Sequence, residues 1–165
     1  MKELAKKLTQ WMDERSLDIN GQRKGFDSNI QEEMIEYFSA KNDNEKIDAL
    51  CDITVFCINT MKTYDKENIR EPQVVNVVPS VSFGKQLDYI KENKFSKDSL
   101  ESMIDICYTL ATEMGYDFKK AMDETIKEIS SRIGTFDESL NKWIKDTSKE
   151  AKAKWYKANY DLTRL

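Results

Sequence analysis

Four carboxylates in this chain are spaced to do metal and phosphate chemistry. Asp48 and Asp52 lie one helical turn apart within 44–62, NEKIDALCDITVFCINTMK, the most apolar run of an otherwise polar sequence. Ile47, Leu50, Cys51, Ile53, Val55, Phe56, Cys57, Ile58 and Met61 occupy most of the circumference of that run, so it reads as a buried helix. Asn59 falls two turns beyond Asp52 on the same stripe. Two acids side by side in a buried helix repel each other and lose hydration, and a cation is the simplest compensation. A second pair, Glu33 and Glu36, sits at i, i+3 on the preceding segment, EEMIE. An antiparallel helical hairpin turning near 42–44 brings 33 and 36 opposite 48 and 52. Four hard oxygen donors without a soft ligand suit Mg²⁺ or Mn²⁺.

The elements that must position these acids are helical. The 165 residues include only 5 Gly and 2 Pro, and 34% are charged, which favours an all-α bundle with solvated faces. A net charge of −4 argues against a nucleic-acid reader. No stretch has the apolar length to span a membrane, and the charged start MKELAKKLTQWMDER does not read as a signal peptide. Cys51, Cys57 and Cys107 sit in apolar helical contexts without metal-type spacing, as expected of a reducing cytoplasm. Histidine is absent, which removes His-based triads, His zinc ligands and the Glu-x-x-His pairs of di-iron bundles.

Taken in order, residues 2–13 form an amphipathic helix with Leu4, Leu8, Trp11 and Met12 on one stripe. Residues 16–25 read as a loop because of Asn20-Gly21 and Gly25. A second helix is expected from Asp27 or Ser28, with Ser28 and Gln31 as a capping box and Ile30, Met34, Tyr37 and Phe38 inward. Asn42 and Glu45 form another capping box at the start of the central helix, which is expected to run to about Tyr64. Residues 65–83, with five valines between Pro72 and Phe83, read as an extended connection covering the core. A short helix over 85–93 follows, then one opened by Ser96 and ended by Gly115. Asp117 opens the next, which carries Ile126, Ile129 and Ile133 inward and closes at Gly134. The tail is expected to add a helix over 148–159.

The order ExxE, turn, apolar helix with aspartates, then SSR resembles the MazG-like all-α nucleoside triphosphate pyrophosphohydrolases, in the manner of phage and prophage members. EEMIE supplies Glu33 and Glu36, and DALCD supplies Asp52, while the family's remaining glutamate falls on Ala49. Asp48, its neighbour, is placed to supply that carboxylate. The likeness runs from about 26 to 160. It implies one all-α domain over 1–165, with a catalytic bundle over 26–134 and a helical C-terminal extension over 135–165. It also implies a Mg²⁺-dependent enzyme (Mn²⁺ as substitute) that hydrolyses (d)NTP to (d)NMP and pyrophosphate, paired as a homodimer or dimer of dimers. Metal would be held by Glu33, Glu36, Asp48 and Asp52, with Glu32 or Glu33 taking the proton of the attacking water. Asn59, Lys127, Ser131 and Arg132 are the implied substrate contacts, with Glu124 and Glu128 on the same later helix. The rival reading is a helical interaction protein whose acids hold a structural divalent cation.

Overall fold

The computed structural model describes residues 1–140 and 142–165. Eight α-helices are present among these residues: α1 (Lys2–Asp13), α2 (Ile19–Ser39), α3 (Asp43–Thr60), α4 (Thr63–Glu67), α5 (Pro79–Glu92), α6 (Lys97–Glu113), α7 (Phe118–Ser131) and α8 (Lys149–Lys152). A two-stranded antiparallel hairpin, β1 (Gly134–Asp137) and β2 (Lys142–Lys145), lies between α7 and α8. A 3-10 turn at Tyr160–Thr163 ends the chain's regular structure. No described helix is long and apolar enough to cross a membrane.

α3 is the axis of the molecule. Ile47, Leu50, Cys51, Ile53, Cys57 and Ile58 are completely buried, and α1, α2, α6 and α7 all pack around them. Each fully buried Ile or Leu contributes about 2 kcal/mol, so this one helix anchors much of the core. Asn42 caps it by accepting from the Glu45 N–H at 3.0 Å, while the Glu45 carboxylate accepts from the Lys41 N–H at 2.7 Å. That capping box sets the tight turn that folds α2 back along α3. The expected caps of α6 and α7 are also present: Ser96 accepts from the Ser99 N–H, and Asp117 from the Lys120 N–H. Gly115 adopts φ +81° after α6, a left-handed position that a Cβ would strain.

Several expectations fail, each for a local reason. Of the loop expected over 16–25 only 16–18 is non-helical: Asp18 accepts from the Gly21 N–H at 2.7 Å and caps α2, which starts at Ile19, eight residues before Asp27 (27 − 19). Ser28 and Gln31 do not form a capping box, because Ser28 is mid-helix and its hydroxyl bonds the Gly25 carbonyl. The central helix ends at Thr60, and a separate turn, α4, follows. Pro79 opens α5 at its first turn, where its missing N–H costs nothing, so α5 starts before Lys85. Phe38 is 53% exposed, meeting Phe83 of α5 only edge-on, and Ile133 is 51% exposed because α7 ends at Ser131 rather than at Gly134. The tail is not the helical extension expected, since Gly134–Asp137 pairs with Lys142–Lys145 and, among the described residues, its α-helix is one turn at Lys149–Lys152. The fold is therefore mostly helical but not purely α.

Candidate active site

The packing of α2 along α3 places Glu33 within electrostatic reach of Asp52, Glu36 and Asp48. Glu33 is half-buried with its carboxyl pushed up to about 8, first by burial and then by the charges of Asp52, Glu36 and Asp48. Asp52 is pushed up to about 7, again by burial first and then by Asp48, with Glu128 and Glu36 adding to the repulsion. Burial likewise raises Asp48, although the Tyr160 hydroxyl donates to its Oδ1 at 2.6 Å. Glu36 and Glu32 are exposed at the edge of the group. Arg132, just past the end of α7, lowers Asp52 but is already bonded to Glu128 Oε1 at 2.7 Å, and Lys157 from the tail lowers Asp48. Negative charge is thus in excess, and it is held in place by the core packing of α3.

This arrangement bears on a metal in two ways. The donor set is all oxygen, and Glu33 Oε2 is buried without a hydrogen-bond partner among the described residues, as suits a hard divalent cation. No three acidic or thiol side chains among the described residues converge closely enough to grip an ion as they stand. The donor chemistry suits such a cation, and holding one would require these side chains to close together. Thiols take no part: all three cysteines are free and buried, and burial pushes the Cys107 thiol up to about 12. Ala49, at the position of the expected glutamate, is buried in the core.

Two clefts flank the acids. One, of about 390 Å³, includes Asp52, Asn59, Arg132, Trp11, Phe56 and Trp143 in its lining. The other, of about 520 Å³, lies on the far side of Asp48 and is lined by Glu128, Lys157 and Tyr160, among others. A larger hollow of about 580 Å³ between α1 and α4 lies away from the cluster and includes Lys2, Lys6 and Lys66 in its lining. The proposed substrate residues therefore divide. Asn59 and Arg132 share a cleft with Asp52. Lys127 is exposed and paired with Glu124, and the Ser131 hydroxyl sits between the Glu128 carbonyl and the Tyr156 N–H. Glu124 and Glu128 accept from the Asn159 and Ala158 N–H groups, which straps the tail to α7.

The tail also supplies residues that sequence reasoning missed. Tyr160 is buried, 2.9 Å from Thr125 Oγ1, and delivers its hydroxyl to Asp48. Lys142, Trp143 and Lys145 come from the hairpin. Gly134 lets the hairpin close: a Cβ there would lie 2.2 Å from the Ile144 carbonyl oxygen and 2.6 Å from the Trp143 ring. Arg15 seats it on the bundle, with its guanidinium 4.9 Å from the Trp11 ring centroid and 5.2 Å from that of Trp143. The same guanidinium donates to the carbonyls of Ser130 and Arg132 at the C-terminus of α7, where unpaired carbonyls gather. The only early signal was the aromatic content of the tail. Compared with known protein families, characterised proteins and solved structures, the chain has no match.

Proposed function

We propose that this protein is a divalent-cation-dependent nucleoside triphosphate pyrophosphohydrolase with a MazG-like helical bundle, which releases pyrophosphate and a nucleoside monophosphate. What supports the reading is the crowding of Glu33 and Asp52 on neighbouring helices with an unpaired Glu33 oxygen, and an aromatic-walled cleft that opens at Asp52. Glu33, Glu36, Asp48 and Asp52 would hold Mg²⁺ or Mn²⁺. Such an ion neutralises the triphosphate and lowers the barrier to attack at the α-phosphorus. In the reaction, a water oxygen bonds to that phosphorus, the bond to the bridging oxygen of the β-phosphate breaks, and pyrophosphate leaves. Glu33 is the better placed proton acceptor, because it faces Asp52 whereas Glu32 is exposed. Tyr160 orients Asp48, and Arg132 stands ready to meet phosphate oxygens when Glu128 releases it. Ile35 (68% exposed) and Phe38 flank these acids on α2, an apolar edge that a second copy of the chain would cover in a homodimer or dimer of dimers.

The test is pyrophosphate release from the eight ribo- and deoxyribonucleoside triphosphates with Mg²⁺, repeated with Asp52→Asn. Turnover that disappears in the variant supports the reading; a parent protein inactive on all of them ends it. The open arrangement of the acids and Ala49 favour one rival, an interaction protein with a structural cation. That rival predicts a Mg²⁺-dependent rise in Tm with no hydrolysis.

A further inference from the structure

Asn59 is only 1% exposed, yet its carboxamide Oδ1 has no hydrogen-bond partner among the described residues. An atom left so gives up its hydrogen bonds to water without replacement, and folded proteins keep few of them. The residue lines the same cleft as Asp52. The two are seven positions apart on α3 (59 − 52), which places them about 10 Å apart along the helix axis. Between and around them the walls are Trp11, Phe56 and Trp143, and the rim carries the exposed lysines Lys142 and Lys145.

We propose that this cleft is a nucleobase pocket, in which an N–H of the base edge donates to Asn59 Oδ1 and the C-terminal hairpin forms one wall. The proposal rests on the pyrophosphohydrolase reading for placing the phosphates at the acids. A sugar is bonded directly to the α-phosphate and would stay near Asp52, so the group that reaches Asn59 is the base. The walls agree, since flat aromatic and apolar surfaces suit a base with two π faces. A ribose, with several hydroxyls, would need several polar partners, and this end of the cleft offers one buried acceptor. Arg15 and Gly134 act as positioning residues, because they hold Trp143 against the cleft.

The experiment is calorimetric titration with AMP, GMP, CMP, UMP and ribose 5-phosphate in the presence of Mg²⁺. At least one monophosphate is expected to bind about 10-fold more tightly than ribose 5-phosphate, the margin that one stacked and hydrogen-bonded base supplies. Asn59→Leu removes that margin while keeping the thermal melt, since it deletes an unpaired polar atom. Trp143→Ala, on the half-exposed hairpin, narrows the margin independently and serves if the first variant does not fold. A ribose 5-phosphate affinity equal to every monophosphate, or a margin untouched in the folded variants, overturns the proposal. Turnover separates it from the catalytic reading. A protein that hydrolyses no triphosphate but keeps the margin retains the base pocket and loses the hydrolase. A protein that hydrolyses triphosphates with no margin over ribose 5-phosphate retains the hydrolase and loses the base pocket.

Discussion

The molecule contains two pairs of acids drawn out of water, Glu101 with Asp105 buried on α6 and Glu33 with Asp52 half-buried on α2 and α3, and they differ in how they are answered. On α6, Glu101 and Asp105 are 4% and 5% exposed. Arg70 meets both: its guanidinium donates to the two Asp105 oxygens at 2.8 and 2.6 Å, and its Nε lies 3.3 Å from Glu101. The Arg70 and Gln73 N–H groups donate to the same carboxylates at 2.9 and 2.8 Å, which pins the extended segment before α5 onto the bundle. On α2 and α3, Asp52 has Arg132 against it, already engaged by Glu128, while Glu33 is surrounded by acids and keeps an unpaired oxygen. Helical spacing of acids is the same kind of signal in both places. What separates a structural clamp from a candidate site is whether the fold itself supplies the counter-charge.

The largest expected effect tests the answered pair. Arg70→Ala removes the cation that meets both buried carboxylates, leaving Lys97 and two backbone N–H groups to answer them, and should cost about 3 kcal/mol in urea unfolding. Asp52→Asn should do the reverse without divalent ions, leaving stability equal or higher because it removes repulsion, while abolishing any pyrophosphate release. If both variants destabilise alike, the distinction between the pairs fails.

A second effect is the pH dependence of the unanswered pair. Glu33 and Asp52 have folded-state values of about 8 and 7, above their ordinary carboxylate values. Between those limits the folded chain binds more protons than the unfolded one, so stability falls as pH rises from about 4.5 to about 8. In chelator, Tm should therefore drop by a few degrees over that range. Mg²⁺ should recover more of it at pH 8 than at pH 5, and Glu33→Gln should flatten the slope. A metal-free Tm that rises steadily to pH 8 counts against the site.

The smallest effect concerns α7. Lys127 is exposed and paired with Glu124, so Lys127→Ala should change KM for a triphosphate by no more than about twofold. Arg132→Ala should raise KM clearly more. Equal effects would return Lys127 to the substrate site.

Much of the helical frame was legible because its signals are local. The caps at Asn42, Ser96 and Asp117 and the left-handed Gly115 depend on residues within one turn of each other. The burial of α3 follows from its own apolar circumference. The start of α2 was hidden because Gly21 and Gly25 look like breakers, and only the Asp18 cap with packing of Phe26 makes that turn helical. The hairpin strands are four residues each with no fully buried position, too short for an alternating pattern to stand out.

Spacing alone determined which acids face each other, since two antiparallel helices joined by a capped turn leave little freedom of register. Tertiary structure decided the rest. It set how much water each acid lost, which cation was already engaged, and that a tyrosine and a hairpin from the far end of the chain close around them. Those outcomes depend on contacts between residues up to 112 positions apart, and no local pattern encodes them.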